Sequence, residues 1–244
     1  MSKKMLNIKI EGHPYQVEEG LTIMEAAQKC GYNIPHLCTF EGGRCSRGSC
    51  RVCLVEVTGA RGLVASCVYP INEGIDIHIN SQKALAARRT SVELLLSNHN
   101  KNCQQCLKNG KCELLLAAQM TGARDNMYIG THTDSSKDEI APGIIRDTSK
   151  CVLCGRCVET CKALQGIGVL GFQKRGFKTI VGPAFNRSFA DSPCMQCGQC
   201  ILVCPTGALL EKSEIDKVDE AFKAGKKVIV QTAPAIRATI AEEF

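Results

Sequence analysis

Two stretches of this chain repeat one cysteine spacing: Cys151, Cys154, Cys157 and Cys161, then Cys194, Cys197, Cys200 and Cys204. Both read C-x2-C-x2-C-x3-C, and the second ends in Cys204-Pro205. Three thiols this close can wrap a single polynuclear cluster, but the fourth has already entered the following helix and faces the sister site. Each run therefore lends its last cysteine to the other. The spacing assigns Cys151, Cys154, Cys157 and Cys204 to one 4Fe–4S cluster, and Cys161, Cys194, Cys197 and Cys200 to a second. Structural zinc prefers a closed tetrahedron, usually built from two separated cysteine pairs, and two triplets at this spacing suit it poorly.

The whole chain carries 17 cysteines in 244 residues. Such a count reads either as a secreted disulfide framework or as metal thiolates in a reducing compartment. Met1 to Ile10 starts basic, but Asn7 and Lys9 interrupt any apolar region and no small-residue cleavage site follows. This is not a secretory signal. No stretch approaches eighteen apolar residues, so no membrane span is expected. A cytoplasmic metal-binding protein is the expectation, and the odd cysteine total also favours ligands over paired disulfides. Aromatic residues make up 5% of the chain and Trp is absent, so metal binding would supplement a modest apolar core. The formal charge of +6 does not imply nucleic acid. Fifteen ligating thiolates with their oxidised cores would bring roughly −7, and no Lys/Arg run exceeds two residues.

Alternating Leu6, Ile8 and Ile10, then Tyr15 and Val17, predict a β-hairpin. Thr22 with Glu25 makes a capping box for a helix that Gly31 closes. Further strands are expected around Val52 to Val57, Leu63 to Val68 and Ile75 to Ile79, which makes residues 1–80 a small α+β domain. Ser81 can cap a helix to about Leu96, with Leu85, Val92 and Leu95 or Leu96 on one face, and a short helix follows around Glu113 to Met120. Residues 81–121 form this helical piece. Residues 122–145 read as a polar, Gly/Pro-containing connector, and residues 146–212 hold the tandem cysteine repeat. In residues 213–244, Ser213 can cap a last helix ending near Gly225, and Val228 to Val230 predict the start of a strand in a further domain.

Two more constellations carry chemistry. His99, Cys103, Cys106 and Cys112 follow the order H-x3-C-x2-C-x5-C, which on spacing alone suits zinc or an iron–sulfur cluster. Cys50 and Cys53 precede a strand and Cys67 lies on the next; the fourth partner is Cys38 or Cys45. Cys45-x4-Cys50-x2-Cys53 has the plant-type ferredoxin spacing. Cys30, near a helix end, reads as a small buried apolar residue.

The segments IPHLC (Ile34 to Cys38), GSCRVCLVEV (Gly48 to Val57), ASC (Ala65 to Cys67), the His99 loop, KCVLCGRCVETC (Lys150 to Cys161) and CMQCGQCILVCPTGAL (Cys194 to Leu209) carry a resemblance over essentially the whole chain. Their order resembles the N-terminal part of the largest peripheral-arm subunit of respiratory complex I. It also resembles the diaphorase small subunit of NAD-reducing hydrogenases and the N-terminal region of multi-cluster FeFe hydrogenases, including NAD(P)-linked, electron-bifurcating ones. The resemblance implies an α+β architecture: a plant-type 2Fe–2S ferredoxin-like (β-grasp) domain, a small helical domain with a one-histidine, three-cysteine site, and a bacterial two-cluster 4Fe–4S ferredoxin-like domain. It further implies one 2Fe–2S cluster on Cys38, Cys50, Cys53 and Cys67, and three 4Fe–4S clusters, one held by His99, Cys103, Cys106 and Cys112. The loop bearing Cys45 is richer in Gly and Arg than in such relatives. VIVQTAPAIRATIAEEF, Val228 to Phe244, is similar to the entry into an FeFe hydrogenase catalytic domain, whose own cysteine motifs do not occur here.

No acid/base pair, nucleophile constellation, G-x-G-x-x-G or Walker pattern is present, so no catalytic residue is assigned and nicotinamide or flavin is expected on a partner. The expected function is a relay of single electrons between a flavin/NAD(P)H subunit and a low-potential acceptor, ferredoxin or a hydrogenase site. The expected partners are a flavin/NAD(P)H-binding iron–sulfur subunit, a small 2Fe–2S subunit, ferredoxin and a hydrogenase catalytic domain. The alternatives are the front part of an FeFe hydrogenase and, remotely, a zinc-binding structural protein.

Overall fold

The computed structural model describes residues 4–40 and 47–243. The first strand pair obeys the alternation in the sequence. In β1 (Met5–Ile10) every second residue, Leu6, Ile8 and Ile10, is buried, and β2 (His13–Glu18) returns antiparallel with Leu6 opposite Val17. Thr22 caps α1 (Ile23–Lys29) through a capping box: the Glu25 N–H donates to the Thr22 hydroxyl, and the Thr22 N–H donates to the Glu25 carboxylate at 2.7 Å. Ile23, Ala26 and Ala27 on this helix are fully buried, closing one face of the sheet.

Three short strands complete that sheet: β3 (Leu54–Val57), β4 (Val64–Ala65) and β5 (Asp76–His78). Its order is β2-β1-β5-β3-β4, with β5 parallel to β1 and the other neighbours antiparallel. The strand expected from Val52 begins two residues later. Arg51 has a φ of 56°, and that left-handed turn gives residues 50–53 to the cysteine loop instead of the ladder.

Ser81 caps α2 (Gln82–Ser97), accepting from the Ala84 N–H. The buried stripe is Ala84, Arg88 and Val92, spaced four apart, and Leu85 is 43% exposed. The expected apolar face is therefore corrected: a small residue and an arginine, not Leu85, meet the sheet. A short helix, α3 (Glu113–Thr121), packs beside α2 and ends at Gly122 in the left-handed conformation.

The stretch read as a connector contributes to a second sheet. There β7 (Ile144–Asp147) lies between β6 (Lys137–Asp138) and β10 (Leu209–Glu211). Between the cysteine runs, β8 (Gly171–Gln173) pairs with β9 (Ile180–Gly182). The two runs carry α4 (Arg156–Glu159), which continues into a π-helical turn over Thr160–Leu164, and α5 (Gln199–Leu202). Ile144, Leu170, Val181, Phe189 and Leu209 form the core around them. All of this belongs to one compact unit, residues 1–211.

Residues 212–244 form a second unit. In it α6 (Ile215–Lys223) starts after Glu214, with the Ile215 N–H donating to the Ser213 hydroxyl at 3.4 Å, and α7 (Pro234–Glu243) opens on a proline, favourable at a first helical position. The strand expected at Val228 to Val230 does not form. Ile229 and Val230 are 78% and 81% exposed with no neighbouring strand among the described residues to complete a ladder.

Candidate metal centres

No disulfide joins any of the sixteen described cysteines. Cys38, Cys50, Cys53 and Cys67 are each buried in the first domain. Their side chains touch. Contact with Cys38, followed by burial, pushes the Cys50 thiol up. Contact with Cys38 and Cys53 pushes Cys67 up, whereas the Cys67 proton shared with Cys53 holds Cys53 down to about 6. Thus four side chains from the loop after α1, the loop before β3 and the segment after β4 meet as one group. Cys45 lies outside the described residues.

The tandem runs fold as near copies. Leu153 and Gln196, each just before the second cysteine, have φ of 53° and 54°; Gly155 and Gly198, each just after it, have φ of 80° and 74°. Paired left-handed residues turn the backbone around each thiol group and bring amides onto sulfur. The Gln196 N–H donates to Cys194 Sγ at 3.4 Å, the Leu153 N–H donates to Cys151, and the Arg156 N–H donates to Cys154. The Val52 N–H does the same for Cys50.

Two cavities lie between the runs. One is lined by Cys151, Cys154, Cys157 and Cys204 together with Arg146, Leu170 and Val181. The other is lined by Cys161, Cys194, Cys197 and Cys200 with Ile144 and Phe189. Each cavity takes three thiols from one run and one from the other, and the π-helical turn carries Cys161 to the second. Burial pushes Cys151 up to about 11 and Cys154 and Cys200 up to about 12, and raises Cys157 well above its ordinary 9.0. A thiol buried this way is costly to ionise alone and needs a cation to stabilise the thiolate. Four thiols per apolar cavity fit an iron–sulfur cluster by donor chemistry. Among the described residues, no three His, Cys, Asp or Glu side chains meet in the close grouping that one metal ion requires.

His99, at the end of α2, is 9% exposed, and its Nδ1 is buried without a hydrogen-bond partner. Burial, then Lys150, holds its imidazolium pKa down to about 4, so the ring is neutral with a buried nitrogen left over. A neutral imidazole is the form that ligates metal. Cys112 has Cys106 and Cys103 as electrostatic neighbours, while His99 faces Lys150 and Asp147. Cys103 is exposed, and Cys106 and Cys112 are half-buried.

This loop docks on the tandem runs. The Glu113 N–H donates to the Pro205 carbonyl at 2.9 Å, and the Asn100 N–H donates to the Ser149 carbonyl at 3.0 Å. A Cβ on Gly207 would sit 2.8 Å from Cys106 Sγ. The first domain reaches the same place: the Arg156 guanidinium lies 5.8 Å from the centroid of the Phe40 ring, two residues after Cys38. Arg47 stacks on Phe172 at 5.0 Å and approaches Glu159 at 3.8 Å. Cys204 and Cys112 thus each lie next to a residue of the Pro205–Glu113 contact. Arg88, Arg146 and Arg156 are buried beside these thiol groups, and no local pattern in the sequence marks them for burial.

Residues 3–82 match the 2Fe–2S iron–sulfur cluster binding domain, residues 88–126 the NADH-ubiquinone oxidoreductase-G iron–sulfur binding region, and residues 150–208 the 4Fe–4S dicluster domain. The NADP-reducing hydrogenase subunit HndD of Solidesulfovibrio fructosivorans is 45% identical over 98% of this chain and 42% of its own length. Iron hydrogenase 1 of Clostridium pasteurianum is 34% identical over 98% of this chain and 42% of its own. The chain therefore spans less than half the length of these curated relatives. An NAD+-reducing [NiFe]-hydrogenase in the H2-reduced state superposes with a TM-score of 0.78 at 28% identity, covering 86% of this chain and 88% of that one.

Proposed function

This chain belongs to the iron–sulfur modules of NAD(P)-linked hydrogenases and NADH-quinone oxidoreductases, and we propose that it relays single electrons between a flavin/NAD(P)H-binding partner and a low-potential acceptor. The observation that carries this reading is the pair of cavities, each lined by four cysteines drawn across the repeat. The proposed ligand sets are Cys38, Cys50, Cys53 and Cys67 for a 2Fe–2S cluster, and three 4Fe–4S sets. These are His99 with Cys103, Cys106 and Cys112; Cys151, Cys154 and Cys157 with Cys204; and Cys194, Cys197 and Cys200 with Cys161. The unpartnered His99 Nδ1 supports the second set. Proposed domain limits are 1–80, 81–121, 146–212 and 213–244, with 122–145 between.

When bound, such clusters supply reversible one-electron oxidation and reduction by outer-sphere transfer. The chain's own residues do the rest. The cysteine thiols give up their protons to ligation, so assembly is coupled to proton release. Backbone N–H groups of Val52, Leu153, Arg156 and Gln196 donate to sulfur and stabilise negative charge there. Leu170, Val181, Ile144 and Phe189 give the two cavities apolar walls. His99 donates no negative charge, which favours the reduced form at its site relative to a fourth thiolate.

Proposed partners are the flavin/NAD(P)H-binding iron–sulfur subunit and a small 2Fe–2S subunit, with ferredoxin or a hydrogenase site as acceptor. The alternative reading is the front part of an FeFe hydrogenase; the likeness to HndD and to iron hydrogenase 1, each over 98% of this chain, supports it. Among the described residues no helix is long and apolar enough to cross a membrane. The test is iron and acid-labile sulfide in the anaerobically purified chain, with EPR of the reduced form. About 14 irons and as many sulfides per chain are expected, with one 2Fe–2S and several 4Fe–4S signals. A colourless, zinc-loaded protein overturns the reading. Hydrogen evolution is expected only when a catalytic domain accompanies this chain.

A further inference from the structure

Arg88 is 2% exposed in the middle of α2. Its Nε donates to the Leu54 carbonyl at 2.7 Å, and its Nη2 is buried with no hydrogen-bond partner. Among the described residues it makes no ion pair, unlike Arg156, which pairs with Glu113. Arg146, the third buried arginine, donates through Nη1 to the Val181 carbonyl at 3.1 Å and the Asn186 side chain at 2.9 Å, while its Nε is left without a partner. A buried guanidinium stays charged, since arginine does not deprotonate in proteins, and burying it unpaired is expensive. Something anionic must face it.

The fold indicates what. Leu54, which Arg88 grips, directly follows Cys53 at the start of β3, and α2 packs against that strand. The acidic groups whose charge acts on Arg88 are Cys53 first and then Glu11. Cys53 belongs to the buried group of Cys38, Cys50, Cys53 and Cys67, which carries net negative charge once its thiols are ligated.

We propose that Arg88 is the counter-charge of the Cys38, Cys50, Cys53 and Cys67 site, a tuning residue supplied by the neighbouring helical domain that raises that site's reduction potential. The proposal rests on reading the site as a 2Fe–2S centre. Uptake of one electron makes the site more negative by one charge, with no bond formed or broken. A fixed cation beside it favours the reduced form, and burial leaves that attraction only weakly screened. Arg88 sits on the helix that ends two residues before His99, so the element that completes the charge balance of the first site leads directly into a proposed ligand of the second.

The test is an EPR-monitored redox titration of the whole cluster-loaded chain, comparing wild type with Arg88→Gln and Arg88→Lys, alongside iron and sulfide content. Arg88→Gln is expected to lower the one-electron reduction constant of the 2Fe–2S signal at least tenfold, a shift of about 59 mV. The 4Fe–4S signals should stay in place, and Arg88→Lys should recover most of the shift. If Arg88→Gln cannot hold the 2Fe–2S cluster while Arg88→Lys can, the charge requirement is equally supported. An unshifted midpoint in Arg88→Gln overturns the proposal. So does equal shift or equal cluster loss in both variants, which would make the role one of packing or hydrogen bonding. Absence of any 2Fe–2S signal in wild type defeats the underlying reading of the site instead.

Discussion

Arg156 and Glu113 meet in a two-pronged ion pair, Nη1 to Oε1 at 2.7 Å and Nη2 to Oε2 at 2.6 Å. Arg156 lies between Cys154 and Cys157, and Glu113 directly follows Cys112. The pair therefore ties the one-histidine loop to the first of the tandem thiol groups. The arginine side chain is 3% exposed and the glutamate 41%, so water screens one end only. Glu113→Gln leaves a buried guanidinium with half its pairing. We expect a loss of about 1–3 kcal/mol in denaturant unfolding, less than for a fully buried pair. Arg156→Met with Glu113→Leu should lose less than Glu113→Gln alone, because no charge is then stranded.

Asp138 anchors the approach to the second cysteine run. Its carboxylate accepts from the Ser188 hydroxyl at 2.8 Å and the Phe189 N–H at 2.9 Å. Burial pushes its pKa up, but those two donors, the Ile140 N–H and the charge of Arg146 outweigh burial and hold it below the ordinary 3.8. A depressed carboxylate pKa stabilises the fold above the unfolded value and loses that contribution as pH falls through the folded one. Asp138→Asn should cost about 1–3 kcal/mol at neutral pH. In denaturant titrations from pH 7 to pH 3, the gap between wild type and variant should stay level to about pH 4 and then narrow.

Gly207 leaves no room for a methyl group, and Gly155 leaves little. A Cβ at Gly207 would come within 2.8 Å of Cys106 Sγ. Gly207→Ala should therefore displace Cys106 and lower iron content by about one 4Fe–4S cluster per chain while sparing the others. At Gly155, φ is +80° and a Cβ would lie 3.1 Å from Arg47 and Phe172. Gly155→Ala should cost about 1–2 kcal/mol from the left-handed backbone alone, read as a lowered thermal midpoint.

Ligand exchange separates the proposed sets. His99→Cys should keep its cluster but lower that cluster's potential in a redox titration, since a thiolate replaces a neutral ring. An unchanged potential would argue against His99 as a ligand. Cys38→Ser should abolish the 2Fe–2S EPR signal and Cys45→Ser should leave it; the opposite outcome would transfer the role to Cys45.

Spacing along the chain carried the tandem groups by itself. A cluster that takes three ligands from one tight turn forces those ligands to be neighbours in sequence, so Cys151 to Cys157 and Cys194 to Cys200 are legible without coordinates. The hairpin, the Thr22 capping box and the Ser81 cap are legible for the same reason, since period-two burial and cap hydrogen bonds are local. Strands β6 to β10 were not, because segments of two to four residues become strands only when a distant partner completes the ladder. Val228 to Val230 shows the converse: β-branched residues with no partner form no strand. Leu85 looked like a core residue by periodicity, yet the sheet it might have met receives Arg88 instead.

Tertiary structure alone decided which charges end up beside the thiol groups. Arg88, Arg146 and Arg156 have no sequence signature, because a guanidinium is buried only when a remote acceptor or anion offsets its desolvation. The seating of Cys106 against Gly207, and of Glu113 against Pro205 and Arg156, joins residues some forty to a hundred positions apart. Metal-binding capacity is written in local spacing; the order and electrostatic setting of the sites are written in long-range contacts, which only the folded chain brings together.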